Sequence, residues 1–495
     1  MLMGRRRLIV LSMLCAAVLI IGPTSASSSP PAEPPPLMID SPDAEPPYDD
    51  ISPAQEQAMW AEIQHNLKAL RGAGALATAT TAQAVPLGWP LRMAPGLVDY
   101  AGFRVSAFVD HNPAIGQVLD YSEGARTYDG HRGTDIAAYP FSWNKMDAGD
   151  LQVIAAAAGT IVARANVDPT DHNCNVASSD PWNYVAIIHA DGRMTIYGHM
   201  RYNSITSKVI GQAVAQGEYL GTVGSSGNSS GPHVHFEVRF GKFSTDEVID
   251  PYAGPASQPE SLWASQRPYA DSAVDRISTH SAPPSTPDPC QPSVTNLQDS
   301  FTTLQNIYFY IYYRDYQGAL ATQLAIYRPD GSIFQSSQYA PADNTFHSAW
   351  NYGWAVNFSN SEPAGTWRVT ATYNGQVYET FFNLNVPPAL TLSSPNGGQQ
   401  WDTLIAHPVT WADNFGGNVN ITLYHDGVYV AMVADNTPND GEYLWAPGLA
   451  MPPGGGYILR VSSVVNPAVY GESSAPFTLL PMQLTNGVYV PLIRR

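Results

Sequence analysis

At 495 residues the chain is too long for one ordinary domain and has room for about three. Hydrophobic residues make up 44%, which excludes wholesale disorder, while 13% charged residues with Gly 40 and Pro 42 favour short strands and turns over long charged helices. Acidic residues outnumber basic ones 42 to 24, for a net charge of −18, which argues against binding a nucleic-acid backbone as the main task.

Arg5, Arg6 and Arg7 precede an apolar run from Leu8 to Ile21, and Thr24-Ser25-Ala26 offers small residues for cleavage. This is the layout of a secretory signal peptide over residues 1–26. About 14 apolar residues approach but miss the about 20 that cross a bilayer, so cleavage with no stable membrane span is expected, an uncleaved membrane anchor being the alternative. Cys15 lacks the small residues that a lipoprotein cleavage site needs before it. The mature chain keeps Cys174 and Cys290, which an oxidising compartment allows to pair; two separate thiols are the alternative, and spacing alone does not choose.

Residues 27–85 read as a Pro-rich tether followed by one amphipathic helix. Ser52-Pro53-Ala54-Gln55 supplies an N-cap, a proline at the first helical position and a capping-box glutamine. Met59, Trp60, Ile63, Leu67 and Leu70 then recur at helical spacing, and Gly72 ends the run. Such a helix must dock, either on the following domain or on a partner, and the domain is the expected surface. Placed just ahead of that domain, it is also positioned to shield it.

Short strands dominate residues 86–255, where Asn183 to Ala190 and Arg193 to Tyr197 flank the hairpin turn Asp191-Gly192. Residues 256–295 return to Ser, Pro and Gln and read as a linker. Residues 296–387 hold the aromatic strand Ile307-Tyr308-Phe309-Tyr310-Ile311-Tyr312-Tyr313, a turn at Pro329-Asp330-Gly331, and a strand with Trp367, Val369 and Ala371. Residues 388–481 repeat the style, with Val419 to Tyr424 and Val428 to Val433 about the turn Asp426-Gly427. The spacing predicts a mostly β chain ending in two immunoglobulin-like β-sandwich modules. The aromatic strand presents either a core face or a stacking platform for sugars, with core as the default. Residues 482–495 form an apolar tail with a basic end, readable as a last strand or a sorting tag.

The chemistry lies between Gly130 and Arg239. His131-Arg132-Gly133-Thr134-Asp135 sets a histidine and a carboxylate four apart, able to share a metal ion across a tight turn at Gly133. His233 and His235 in Gly231-Pro232-His233-Val234-His235-Phe236-Glu237-Val238 share one strand face, while Val234, Phe236 and Val238 face a core. A solvated strand face reads equally well from that segment alone. His199 closes a hairpin strand in Tyr197-Gly198-His199-Met200, a setting that by itself is more often structural. Together they make a coherent set: two nitrogens and an oxygen from His131, Asp135 and His235 suit zinc with an open position, leaving His199 and His233 for proton transfer and oxyanion contact.

In combination, His-x-x-x-Asp, Tyr-Gly-His-Met and Gly-Pro-His-Val-His-Phe-Glu resemble the lysostaphin-type, or LytM-type, zinc endopeptidases. The resemblance spans roughly residues 125–252 and includes Gly159-Thr160-Ile161-Val162, Gly217-Glu218-Tyr219-Leu220-Gly221 and Asp250-Pro251. It implies a small β-sheet groove of the duplicated hybrid motif type that cuts peptide bonds in bacterial peptidoglycan. It also implies Zn2+ on His131, Asp135 and His235, with His199 and His233 as catalytic histidines. Two stretches depart from the family's spacing, Ala137 to Asp150 and Val167 to Trp182, and are expected to shape the ends of the groove. In the second, His172 beside Asp171 and Cys174 reads as a surface loop before a second metal site. Ser394-Pro395-Asn396-Gly397-Gly398 and Val409-Thr410-Trp411 look like a non-enzymatic module of secreted proteins.

The expected protein is thus an exported, cell-wall-associated zinc endopeptidase whose sandwiches act as spacers or contact wall glycan. Its rivals are a secreted protease of Gly-rich proteins and a binding or regulatory protein that keeps the groove without chemistry.

Overall fold

The computed structural model describes residues 51–76, 84–174, 180–240, 248–341 and 345–481. The expected signal peptide, the tether to residue 50 and the C-terminal tail lie outside the described residues. Helix α1 (Pro53–Gly72) starts where its capping box directs: Ser52 Oγ accepts from the Gln55 amide at 3.4 Å, and the Gln55 side chain accepts from the Ser52 amide at 2.8 Å. Among the described residues, no helix is long and apolar enough to cross a membrane.

The domain that follows α1 contains β1 (Leu91–Met93), β2 (Phe103–Ala107), β3 (Thr134–Ala138), α2 (Ser142–Ala148), β4 (Leu151–Ile154), β5 (Gly159–Ala165), β6 (Tyr184–His189), β7 (Met194–Gly198), β8 (Ala213–Val214), β9 (Tyr219–Thr222) and β10 (His233–Arg239). Seven strands form an antiparallel sheet in the order β2-β3-β10-β7-β6-β5-β8, and β1-β4-β9 make a smaller one. Alternation along the strands gives the large sheet two unlike faces. Ile161, Val185, Ile187, Tyr197, Val234, Phe236 and Val238 pack with Leu151, Val153 and Leu220 of the small sheet into one core.

The opposite face carries His233, His235, Glu237 and Arg239 of β10 beside Ile196 and Met194 of β7. Here α1 docks. Its Met59, Trp60, Ile63 and Leu67 are buried against Ala163, Trp182, Tyr184, Ala186, Ile188, Met194 and Ile196. Each such side chain contributes about 1.5–3 kcal/mol on full burial, so the helix is held by its apolar stripe. Asn66 adds a hydrogen bond from Nδ2 to the Val162 carbonyl at 2.9 Å.

The stretch read as a linker is ordered and shared between two domains. Trp263 joins the core of the first domain, and Tyr269 packs against it. Residues Ala273–His280 form β11, which pairs with the aromatic strand of the first sandwich. Composition concealed this because a few apolar residues, Trp263, Val274 and Ile277 among them, sit in a Ser/Pro-rich background. After β12 (Ser300–Thr302), the aromatic strand is β13 (Asn306–Gln317). Ile307, Phe309, Ile311 and Tyr313 face the sandwich core, while Tyr310 and Tyr312 pack against Tyr139 and Phe141 of the first domain. Both faces are therefore covered except at the half-buried Tyr308, in keeping with the core reading of this strand.

Polar contacts tie the same interface. Asp315 accepts from Arg126 at 2.6 Å, the Trp350 carbonyl accepts from Tyr139 Oη at 2.7 Å, and Asp99 pairs with both Lys145 and Arg276. Cys174 and Cys290 are joined, 116 residues apart in sequence, and Trp143 of α2 donates to the Pro289 carbonyl at 2.8 Å. The two stretches of unusual spacing are thus bound to the first sandwich's leading segment. The second sandwich closes on its own core of Trp401, Val409, Trp411, Ile421, Leu423, Trp445, Leu459 and Phe477.

Candidate active site

Strand register assembles the site. On β10, His235 stands opposite Asp135 of β3 on one side and Gly198 of β7 on the other. One row across the sheet therefore brings together three sequence segments, with His131 on the turn before β3 and His199 just after β7. His131 Nε2 lies 3.1 Å from Asp135 Oδ2 and 3.3 Å from His235 Nδ1, and His235 Nδ1 lies 3.0 Å from Asp135 Oδ1. Among the described residues, this is the one His/Cys/Asp/Glu group whose ligand atoms converge closely enough to hold a metal ion.

Gly133 has a reason beyond its turn. A Cβ there would come within 2.6 Å of the His235 ring, so a side chain would push that ligand away. The outer nitrogen of each candidate ligand is also addressed: His131 Nδ1 lies 2.6 Å from the Phe108 carbonyl and must donate to it, and His235 Nε2 faces Glu237 at 3.8 Å. With Nδ1 committed to that carbonyl, His131 in its neutral form turns a bare Nε2 towards a carboxylate and a second imidazole. Lone pairs held that close call for a cation between them, and two nitrogens with one oxygen are a donor set that zinc accepts.

His199 and His233 border this group. Their rings are 4.5 Å apart between centroids, and the His199 ring is 6.0 Å from that of His235. His199 Nδ1 meets the Ser226 carbonyl at 2.7 Å and His233 Nδ1 meets the Gly231 carbonyl at 2.8 Å, which reserves Nε2 of each ring for the site. His199 takes a left-handed backbone, φ 55°, an uncommon setting that turns its ring from the strand end into the cleft.

The local electrostatics follow from burial and partners. Burial alone would raise Asp135, but the imidazoles around it in their protonated form, His131 and His233 as charges and His131 and His235 as donors, hold it well below the ordinary carboxylate value. Burial likewise opposes Arg239 at Glu237, and the guanidinium wins, holding the carboxyl at about 2. Burial pushes His233 down, against the pull of Asp135 and the Gly231 carbonyl.

Residues 129–251 match the peptidase family M23. These residues form an M23 domain. A cell division protein, DipM of Caulobacter vibrioides, is 37% identical over 101 residues, covering 20% of this chain and 14% of that protein. The DD-carboxypeptidase/endopeptidase Mpg of Neisseria meningitidis is 35% identical over 101 residues, 19% of this chain and 22% of that one. The chain thus spans between a seventh and a quarter of the length of these relatives. Among solved structures, a mutant catalytic domain of the prophage-encoded M23 protein EnpA from Enterococcus faecalis is 26% identical, with TM-score 0.20, covering 30% of this chain and 88% of that one.

All five histidine and aspartate candidates read from the sequence of the M23 domain thus meet in one place. His172 does not join them; it stacks on Trp143 and pairs with Asp147 at 2.6 Å on the rim. Sequence reasoning missed Tyr128, whose hydroxyl reaches Asp135 Oδ2 at 3.1 Å and whose ring stacks 4.2 Å from that of His131. It also missed Trp182, 5.1 Å from the His199 ring, which needs Gly198 beneath it: a Cβ there would come within 1.9 Å of the indole. Glu237 and Arg239 were legible in principle, since period-two alternation puts them on the face of His235. No local signal marks Trp182.

Proposed function

We propose that the chain is an exported zinc-dependent endopeptidase that hydrolyses peptide bonds in bacterial peptidoglycan. The observation that carries this reading is the convergence of His131 Nε2, Asp135 and His235 Nδ1 beside two further histidines in an M23 domain. The names of the relatives, a cell division protein and a DD-carboxypeptidase/endopeptidase, support a cell-wall peptide as substrate.

In this reading His131, Asp135 and His235 hold the zinc. Zinc, when bound, supplies Lewis-acid polarisation of a peptide carbonyl and lowers the pKa of a water towards ~7. The chain's own residues then do the positioning and proton work. Carbonyls at Ser226 and Gly231 fix the His199 and His233 rings with Nε2 inward, so each ring accepts a proton there and, once charged, donates it to the leaving amine or the developing oxyanion. Glu237 orients His235, and Tyr128 steadies Asp135. The complete ligand set counts against a groove retained without chemistry.

The test is release of new amino groups from purified peptidoglycan by the mature protein, as isolated, with chelator, and with zinc restored. Release that stops with chelator and returns with zinc is expected, and the new N-terminal residue identifies the bond. No release from protein carrying one zinc per chain would overturn the reading in favour of a Gly-rich protein substrate or a non-catalytic groove.

A further inference from the structure

The face of the sheet that carries the metal-ligand row also carries α1, and the helix brings a carboxylate with it. Glu56, in the helix's first turn, is 2% exposed. Its Oε2 pairs with Arg132, the residue after His131, and its Oε1 lies 3.2 Å from Arg239 Nη2. Trp60 Nε1 donates to the same Oε1 at 3.3 Å, and the Trp60 ring lies 5.2 Å from the Arg239 guanidinium carbon. Arg239 pairs in addition with Glu237, which faces His235. Two guanidinium groups are therefore balanced by two carboxylates, one belonging to the M23 domain and one to the helix.

The helix carrying Glu56 is separable from the sheet in a way that Glu237 is not. No strand ladder passes through α1; it rests on Ile196, Ala186 and their neighbours through side chains. When it lifts, Glu56 leaves with it, and one positive charge next to the metal ligands loses its counter-charge. A carboxylate on a bound peptide would replace it with the same charge-assisted, two-arginine contact.

We propose that Arg132 and Arg239 form a carboxylate-binding subsite beside the metal centre, filled in cis by Glu56, so that α1 is a built-in competitor of peptides bearing a free carboxylate. The proposal rests on the reading of this groove as a peptide-binding site. It makes substrate entry and helix release one event. It also explains why a charged residue is buried in the first turn of a helix whose other buried side chains are Met59, Trp60, Ile63 and Leu67.

The test is calorimetric titration of the full mature chain, stripped of zinc by chelator, with acetyl-triglycine as free acid and as C-terminal amide. Glu56→Gln is expected to raise affinity for the acid about tenfold or more, the value of one charged hydrogen-bond contact, and to leave the amide unchanged. Adding Arg132→Gln to that variant should erase the preference for the acid. Ile63→Asp, which unseats the helix without touching the arginines, should raise acid affinity in the same direction and covers the case in which Glu56→Gln fails to fold. Equal affinity for acid and amide in Glu56→Gln and Ile63→Asp would overturn the proposal. Because these titrations need no zinc, they are separate from peptidoglycan cleavage, whose failure would sink the peptidase reading instead.

Discussion

The two faces of the seven-stranded sheet use the same residue types to opposite ends. On the packed face His189 has a partner for each nitrogen, the Ala158 carbonyl and Thr195 Oγ1, both at 2.9 Å; Tyr197 Oη in turn accepts from the Ala156 amide at 2.7 Å. His189 and Tyr197 thus find their partners inside the protein. On the groove face, by contrast, His131, Asp135 and His235 turn acceptors towards one another. A histidine in a core is a satisfied hydrogen-bonding group; convergent lone pairs mark a place for something from outside.

The sharpest way to break this comparison is His131→Ala. Bound zinc, measured by elemental analysis, should fall from one per chain to none, with the thermal transition of the metal-free protein little changed because the packed face is untouched. Next in size, His199→Ala should keep its zinc and lose about 10²–10⁴-fold in turnover on peptidoglycan. Full activity in that variant would refute the role given to His199.

On the other face, Phe236→Ala leaves a cavity in the core and should cost about 3–5 kcal/mol by denaturant unfolding. Loss of zinc without loss of stability in that variant would deny the division between the faces. A smaller effect is expected from Glu237→Gln, which weakens the support of His235. Zinc affinity in a competition titration should drop about 10–100-fold.

The smallest effect concerns His189 and its titration. Burial lowers its pKa from the ordinary 6.5. The unfolded chain therefore takes up a proton at a pH where the folded chain does not. The stability from a neutral His189 is complete above pH 6.5 and is lost as pH falls through the lowered value. Melting temperature should decline on acidification below pH 6.5, and His189→Gln should flatten that slope; an unchanged slope would show that this histidine does not set it.

Much of this architecture was legible locally. The capping box at Ser52 and Gln55 marked the start of α1, Asp191-Gly192 marked the β6–β7 hairpin, and alternation around His233 and His235 assigned one side to a core. These features arise from interactions spanning a few residues, so sequence order carries them directly. The linker reading of 256–295 failed for the converse reason: the Trp263 and β11 side chains acquire partners from segments far away in the chain.

The sequence by itself thus determined the strand periodicity, the turns, the ends of the helix and the set of residues able to ligate a metal. Only the tertiary structure decided that α1 covers the groove face, that Glu56 meets Arg132 and Arg239, that Cys174 finds Cys290, and that Tyr310 and Tyr312 of the aromatic strand are sealed against Tyr139 and Phe141. Local patterns tell each strand which residues share a face, but which surface covers that face depends on how distant segments close on one another. That closure is set by the packing of the whole molecule.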